Sequence, residues 1–173
     1  MAALWTSVGV ARVALVLASG LVTGCDGLLK LNEKTWSSGE TQTNGSCEYT
    51  LVGAALRAER NSQRGGVTMQ VRNISPNLVR SCNYIVTLYS GVGQELDDGL
   101  DVNTSMSPGG KDLRCTLETV SRAVDVQGAN LKVTLTGDDG GRPTFVVPHV
   151  QASDFAAYSK ALACPGETSM PLF

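Results

Sequence analysis

From residue 67 onward, apolar and polar side chains alternate in one short run after another. Val67-Thr68-Met69-Gln70-Val71-Arg72-Asn73-Ile74 does so with period two, the signature of a strand buried on one face. Tyr84-Ile85-Val86-Thr87-Leu88-Tyr89 is rich in β-branched and aromatic residues. Leu131-Lys132-Val133-Thr134-Leu135-Thr136 alternates cleanly, and Thr144-Phe145-Val146-Val147 follows a loop of glycines and aspartates. Further strands are expected at residues 48–56 and at 111–117 around Cys115, with a weaker one in the acidic stretch 95–102. Turn chemistry separates these runs: polar residues 60–66, Ser75-Pro76-Asn77, Ser90-Gly91-Val92-Gly93, Ser107-Pro108-Gly109-Gly110, and Gly137-Asp138-Asp139-Gly140-Gly141. About seven strands at roughly ten-residue spacing predict a mainly β fold, an antiparallel Ig-like β-sandwich.

One short C-terminal helix is expected over residues 155–163. Ser153 can cap it, Asp154 suits its first turn, and Pro165 stops it. Phe155, Tyr158 and Leu162 share one helical face, which should pack on the sandwich. Residues 167–173 read as a loose tail.

The beginning of the chain has a different texture. Residues 13–22 form an apolar run of ten, broken only by Ser19 and Gly20, and Arg12 is the one charge in the first 25 residues. That run has the length of a signal-peptide core and about half of what crosses a bilayer. It ends in Leu21-Val22-Thr23-Gly24-Cys25, which resembles a bacterial lipobox. The resemblance implies a signal peptide over residues 1–24, cleavage before Cys25, and acylation of that cysteine, as in bacterial lipoproteins. The protein would then be exported and anchored by lipid to a bacterial membrane, on the periplasmic or outer face. Two or three acyl chains hold stably where one is marginal. Asp26 resembles an inner-membrane retention signal of some Gram-negative envelopes. The competing reading is a buried N-terminal helix carrying an incidental cysteine. No later run reaches the ~18 apolar residues of a transmembrane helix.

After Cys25 the chain turns polar and rich in Ser, Thr, Gly and Glu up to residue 46. Residues 25–46 therefore read as the lipidated cysteine and a flexible tether with a root-mean-square span of about 25 Å. Leu28, Leu29, Leu31 and Trp36 could instead cover an edge of the domain or dip into the lipid interface. Residues 47–173 are left for the sandwich. Without its first 24 residues the chain keeps 149 of 173, a single domain by length with enough residues for its own core.

Charge and cysteine usage narrow the function classes. The full chain has 14 basic and 16 acidic side chains. Arg57, Arg60 and Arg64 are the nearest thing to a basic cluster, and they sit among Glu59 and polar residues, so nucleic acid is excluded as a partner. Cys47, Cys82, Cys115 and Cys164 remain once Cys25 is set aside, an even number that suits an exported, disulfide-bearing domain. Of the three possible pairings, Cys47–Cys164 with Cys82–Cys115 is expected: the first ties the domain's ends together, and the second joins neighbouring strands. A zinc site would need closer cysteine spacing than this and more than the one histidine, His149.

Within residues 67–110 the segments Gln70-Val71-Arg72-Asn73-Ile74-Ser75, Tyr84-Ile85-Val86-Thr87-Leu88-Tyr89 and Ser107-Pro108-Gly109-Gly110 resemble the Ig-like domains of exported bacterial proteins, including the FxLYD type. That family has a strand ending in Val-x-Asn-x-Ser, a strand ending in Leu-Tyr, and a Pro-Gly turn. This chain departs from it in lacking Asp after Leu-Tyr and in carrying four additional cysteines. The resemblance implies a binding or scaffolding role and brings no catalytic residue with it.

Candidate chemistry is sparse. There is no G-x-S-x-G elbow, and His149, following Pro148 at the end of an expected strand, reads as structural rather than as a base. Gly110-Lys111 lacks the spacing of a phosphate-binding loop, and Gly91 and Gly93 lack the third glycine of a dinucleotide motif. No cofactor is implied. Glu95, Asp97, Asp98 and Asp101, and the pair Asp138 and Asp139, have the charge density for calcium, but Asp-Gly turn chemistry accounts for them and no metal is expected. The sequons at Asn44, Asn73 and Asn103 would be silent in a bacterium. The expectation is a non-catalytic binding or scaffolding module of the envelope with a protein partner there. A carrier of a small hydrophobic ligand, or an enzyme accessory, are the alternatives.

Overall fold

The computed structural model describes residues 33–79, 82–97, 99–102, 105–122 and 128–164. Among these, ten strands and one helix form two sheets, three strands more than the periodicity suggested. One sheet carries β3 (Cys47–Ala58), β4 (Gln63–Asn73) and β7 (Lys111–Ser121), with β2 (Thr41–Asn44) and β10 (Val150–Ala152) both on the β3 edge. The other runs in the order β1 (Lys34–Thr35), β9 (Thr144–Val147), β8 (Asn130–Thr136), β5 (Asn83–Tyr89), β6 (Leu100–Val102). The chain changes sheet between β1 and β2, between β4 and β5, between β6 and β7, between β7 and β8, and between β9 and β10. This is the Greek-key order of an Ig-like sandwich, A-B-E against C′-C-F-G.

The period-two runs are what make the core. Val67, Met69 and Val71 of β4 face Val86 and Leu88 of β5 and Leu131, Val133 and Leu135 of β8, all with no measurable exposure. Each such side chain contributes roughly 1.5–3 kcal/mol relative to an exposed one. Tyr49 and Tyr84 meet edge to face across the two sheets, ring centres 6.4 Å apart.

β3 is buried on both faces along its second half, because of a bulge. Its register with β4 shifts between Leu51 and Gly53. Before the shift Cys47, Tyr49 and Leu51 point inward; after it Ala54 and Leu56 do. Gly53 and Ala55 consequently face outward and seat α1 (Phe155–Leu162). A side chain at Gly53 would collide with the Ala161 carbonyl and stand 2.9 Å from that of Leu162, so the glycine is what lets the helix lie this close.

The residues read as a tether are part of the sandwich from Lys34 onward. β1 pairs in parallel with β9, Lys34 opposite Phe145, and β2 runs antiparallel along the first half of β3. Between them Trp36 is fully buried, its ring 5.2 Å from that of Phe145, and its indole N–H donates to the Glu40 carbonyl at 3.0 Å. The domain therefore begins before residue 47. Polar composition disguised this because β1 and β2 are edge strands with mostly exposed side chains, held by backbone bonds, the Trp36 indole and a few polar side chains such as Asn44.

Other boundaries shift for similar reasons. Residues 63–66 continue β4 rather than turning, since Gly65 and Gly66 lie in register between β3 and β7. The acidic stretch 95–102 yields only β6 and an isolated Tyr89–Glu95 bridge. β10 was not foreseen; it pairs in parallel with β3 and covers the half of that edge which β2 leaves open. At the helix, Asp154 rather than Ser153 is the cap, accepting from the Ala157 N–H at 2.8 Å. Tyr158 and Leu162 are buried as expected, but Phe155 is 43% exposed.

Candidate functional site

Polar chemistry gathers on the outer face of the β3–β4–β7 sheet beside α1. Arg57 and Arg64 stand directly opposite one another across β3 and β4, a like-charge pair that would repel if left bare. Glu59 lies between them. It bonds Arg57 Nη2, accepts from Arg64 Nε at 2.9 Å, and takes the Ser62 hydroxyl on its other oxygen at 2.9 Å. Arg64 also reaches Glu118 of β7 at 2.9 Å. Burial opposes ionisation of Glu59, but the Ser62 and Arg64 hydrogen bonds and the two guanidinium charges outweigh it and hold its carboxyl below the usual range. The Arg57 guanidinium stacks 5.5 Å from the Phe155 ring centre and 5.9 Å from that of Tyr158. The result is a charge-balanced, partly shielded patch rimmed by the exposed Phe155 ring.

A second polar centre is internal. Asn73 at the end of β4 is fully buried. Its amide nitrogen lies 2.8, 3.0 and 3.1 Å from the carbonyls of Asn77, Met106 and Ser107, and its oxygen accepts from the Ser75 N–H at 2.8 Å. One side chain thus fastens the β4–β5 connection to the turn before β7. This is the asparagine of the Val-x-Asn-x-Ser motif, and its role here is to organise loops. As a sequon it offers no accessible amide, and neither does Asn44, 5% exposed, whose amide donates to the Gly141 carbonyl at 2.9 Å.

The expected cysteine pairing is corrected. Cys47 bonds Cys82, with Cα atoms 5.6 Å apart. Both are buried, Cys47 at the start of β3 in one sheet and Cys82 just before β5 in the other, so the bond staples the two sheets together. Beside it the Tyr49 hydroxyl donates to the Asn83 carbonyl at 3.1 Å. Cys164 cannot reach Cys47, because it follows α1 on the outer face, 3.4 Å from the Thr68 hydroxyl. Cys47 is inward and opposite Asn73, about 17 Å further along β4. With Cys82 engaged, the Cys82–Cys115 pairing falls as well.

The acidic candidates serve turns. Asp138 accepts from the Ser46 N–H at 2.7 Å, which lowers its pKa, and Asp139 accepts from the Gly141 N–H at 2.9 Å. Asp97 accepts from the Gly99 N–H at 2.9 Å, and Glu95 from the Tyr89 hydroxyl at 3.3 Å. Among the described residues no group of three or more His, Cys, Asp or Glu side chains is placed to hold a metal ion. The backbone of Asp101 lies in β6, while Cys25, Asp98 and Asn103 lie outside the described residues. His149 sits between β9 and β10, its Nδ1 3.4 Å from the Val147 carbonyl; desolvation lowers its pKa against a small opposing effect of that contact. Sequence reading missed the Arg57–Glu59–Arg64 cluster as a unit because a bulge and a hairpin, not spacing, bring it together.

Fold and staple together define an Ig-like antiparallel β-sandwich with an inter-sheet disulfide. No family model matches the chain, and no curated protein does. Among solved structures it is similar to an uncharacterized β-sandwich protein from Clostridium difficile 630, at 12% identity and TM-score 0.42, covering 66% of this chain and 95% of that one. It is also similar to a structural-genomics target, SoR45, at 7% identity and TM-score 0.37, covering 62% and 85%.

Proposed function

We propose that the protein is a lipid-anchored envelope lipoprotein of a bacterium whose sandwich acts as a non-catalytic binding or scaffolding module. The observation that carries this is Leu21-Val22-Thr23-Gly24-Cys25 at the end of a ten-residue apolar run. Three features support it. Among the described residues no helix is long and apolar enough to cross a membrane, and acyl chains on Cys25 would supply an attachment of another kind. The first described strand starts at Lys34, so eight residues lie between it and Cys25; residues 26–33 span at most about 28 Å fully extended. The domain would stand close to the lipid surface. Finally, the clustered polar groups bond one another or backbone, as in a surface built for contact rather than turnover.

A hydrophobic carrier would need an apolar space between the sheets; Trp36 on Phe145 and Tyr49 on Tyr84 fill the interior where they meet. Metabolic labelling with a palmitate analogue tests the anchor. Label should enter the wild type and be lost in Cys25→Ser; label that persists in the variant refutes the anchor. Crosslinking in intact cells tests the module: a reproducible envelope partner, lost on Phe155→Ala with Arg57→Ala, supports it.

A further inference from the structure

At the end of the sandwich where β4 stops, two aliphatic side chains stand exposed on one connection, Ile74 at 45% and Leu78 at 56%. That connection is firmly held. The Ile74 N–H donates to the Ser46 carbonyl at 3.0 Å, and Val79 and Met106 exchange backbone hydrogen bonds at 3.1 and 2.8 Å. The Asn77 N–H donates to the Ser75 hydroxyl at 3.0 Å, Asn73 bonds both residues, and the Cys47–Cys82 bond joins the two sheets at its base. Residues fastened in this way present their aliphatic side chains rather than lose them by fraying. Two residues before Ile74, Arg72 stands opposite Lys111 across β4 and β7, both exposed, with Glu48 3.6 Å from the guanidinium. Aliphatic groups beside cations suit a lipid surface: the first enter the acyl boundary, and the second meet headgroup phosphates.

The direction of the first strand points this same end toward Cys25. β1 runs parallel to β9 with Lys34 opposite Phe145, so the chain comes to Lys34 from the end at which β9 begins. The loop before β9 belongs to the surface that carries Ile74: Asp138 accepts from the Ser46 N–H at 2.7 Å, and the Ser46 carbonyl holds Ile74. Val92, 78% exposed, marks the opposite end, since β5 runs from Asn83 beside Thr136 to Tyr89 beside Asn130 and Val92 follows it. Bringing that end to the lipid would require residues 26–33 to reverse direction, which uses up part of their span of at most about 28 Å. We propose that Ile74 and Leu78, flanked by Arg72 and Lys111, dock on the membrane that holds the Cys25 acyl chains, seating the sandwich end-on. This rests on the lipoprotein reading above. The anchor makes the docking intramolecular, so a contact of two aliphatic side chains is enough, where free protein would bind weakly.

The test uses the protein as the cell produces it, reconstituted into vesicles of phosphatidylethanolamine and phosphatidylglycerol with or without bromine on their acyl chains. Trp36, the tryptophan that remains after cleavage before Cys25, is fully buried and supplies a constant background. Leu78→Trp, and separately Ile74→Trp, should shift emission to the blue on reconstitution and lose intensity to brominated lipid. Val92→Trp, at the other end, should do neither. The intact mass of each protein reports whether it is acylated. An acylated protein in which Leu78→Trp and Ile74→Trp stay unquenched, or in which Val92→Trp is quenched as strongly, overturns the docking and leaves the anchor standing. A protein recovered without acyl chains overturns the anchor, and the docking with it.

Discussion

Asn73→Ala should destabilise the sandwich by about 2–3 kcal/mol, although the residue sits at a strand end. The wild-type amide engages three carbonyls and one backbone N–H. Two of those carbonyls keep another donor: Met106 accepts from the Val79 N–H at 3.1 Å, and Ser107 from the Gly110 N–H at 2.9 Å. The Asn77 carbonyl and the Ser75 N–H lose the bond described, and both lie where water can partly replace it. At about 1 kcal/mol net for each hydrogen bond, discounted for the shared carbonyls and increased by the space left at a fully buried site, the sum falls in that range. Asn73→Asp should be worse at neutral pH, since it places a carboxylate against three carbonyl oxygens, and it should recover partly in acid, where a protonated carboxyl donates again. Urea unfolding followed by tryptophan fluorescence measures both, and a thermal midpoint lowered by roughly 8–12 °C is expected for the alanine variant. Asn77→Ala is the control, since only its carbonyl is used. An Asn73→Ala protein within about 0.5 kcal/mol of wild type would refute the reasoning, because it would mean the loops hold themselves.

Trp36→Ala should cost about 3–5 kcal/mol by urea titration, the loss for a buried aromatic; a tether residue would cost nothing measurable. Reducing Cys47–Cys82, or replacing both cysteines with alanine, should lower stability by about 4 kcal/mol for a closure of 35 residues in the chain-entropy model, read as a fall in the unfolding midpoint on adding reductant. Stability should decline in two stages as pH falls. His149 has a depressed folded pKa, so its contribution is complete above the ordinary 6.5 and is lost below it, as the unfolded chain takes the proton first. Glu59 and Asp138, also depressed, lose theirs later, below their ordinary 4.5 and 3.8. His149→Gln should remove the first stage alone, as seen in urea midpoints taken across that range.

The central strands were legible because half-burial writes itself as alternation: β4, β5, β8 and β9 each place every second residue in the core. β10 and the first two strands were not, since a short edge strand is held by backbone bonds, which any residue type can make. Gly65 and Gly66 read as turn chemistry, yet they lie within β4, where a small residue admits Leu131 and Leu56. The helix was legible from Tyr158 and Leu162, but its cap fell to Asp154, whose carboxylate, not the Ser153 hydroxyl, reaches the Ala157 amide.

By itself the sequence determined a mainly β, Ig-like sandwich with a terminal helix, and an N-terminal segment resembling a lipoprotein signal. Local periodicity and local motifs suffice for these. Tertiary structure alone decided which cysteines meet, that Trp36 belongs to the core, and that Arg57, Glu59 and Arg64 form one cluster. Each depends on which face a residue occupies after a bulge or a crossing between sheets. A shift of a single residue in register exchanges those faces, and nothing in the order of the residues announces it.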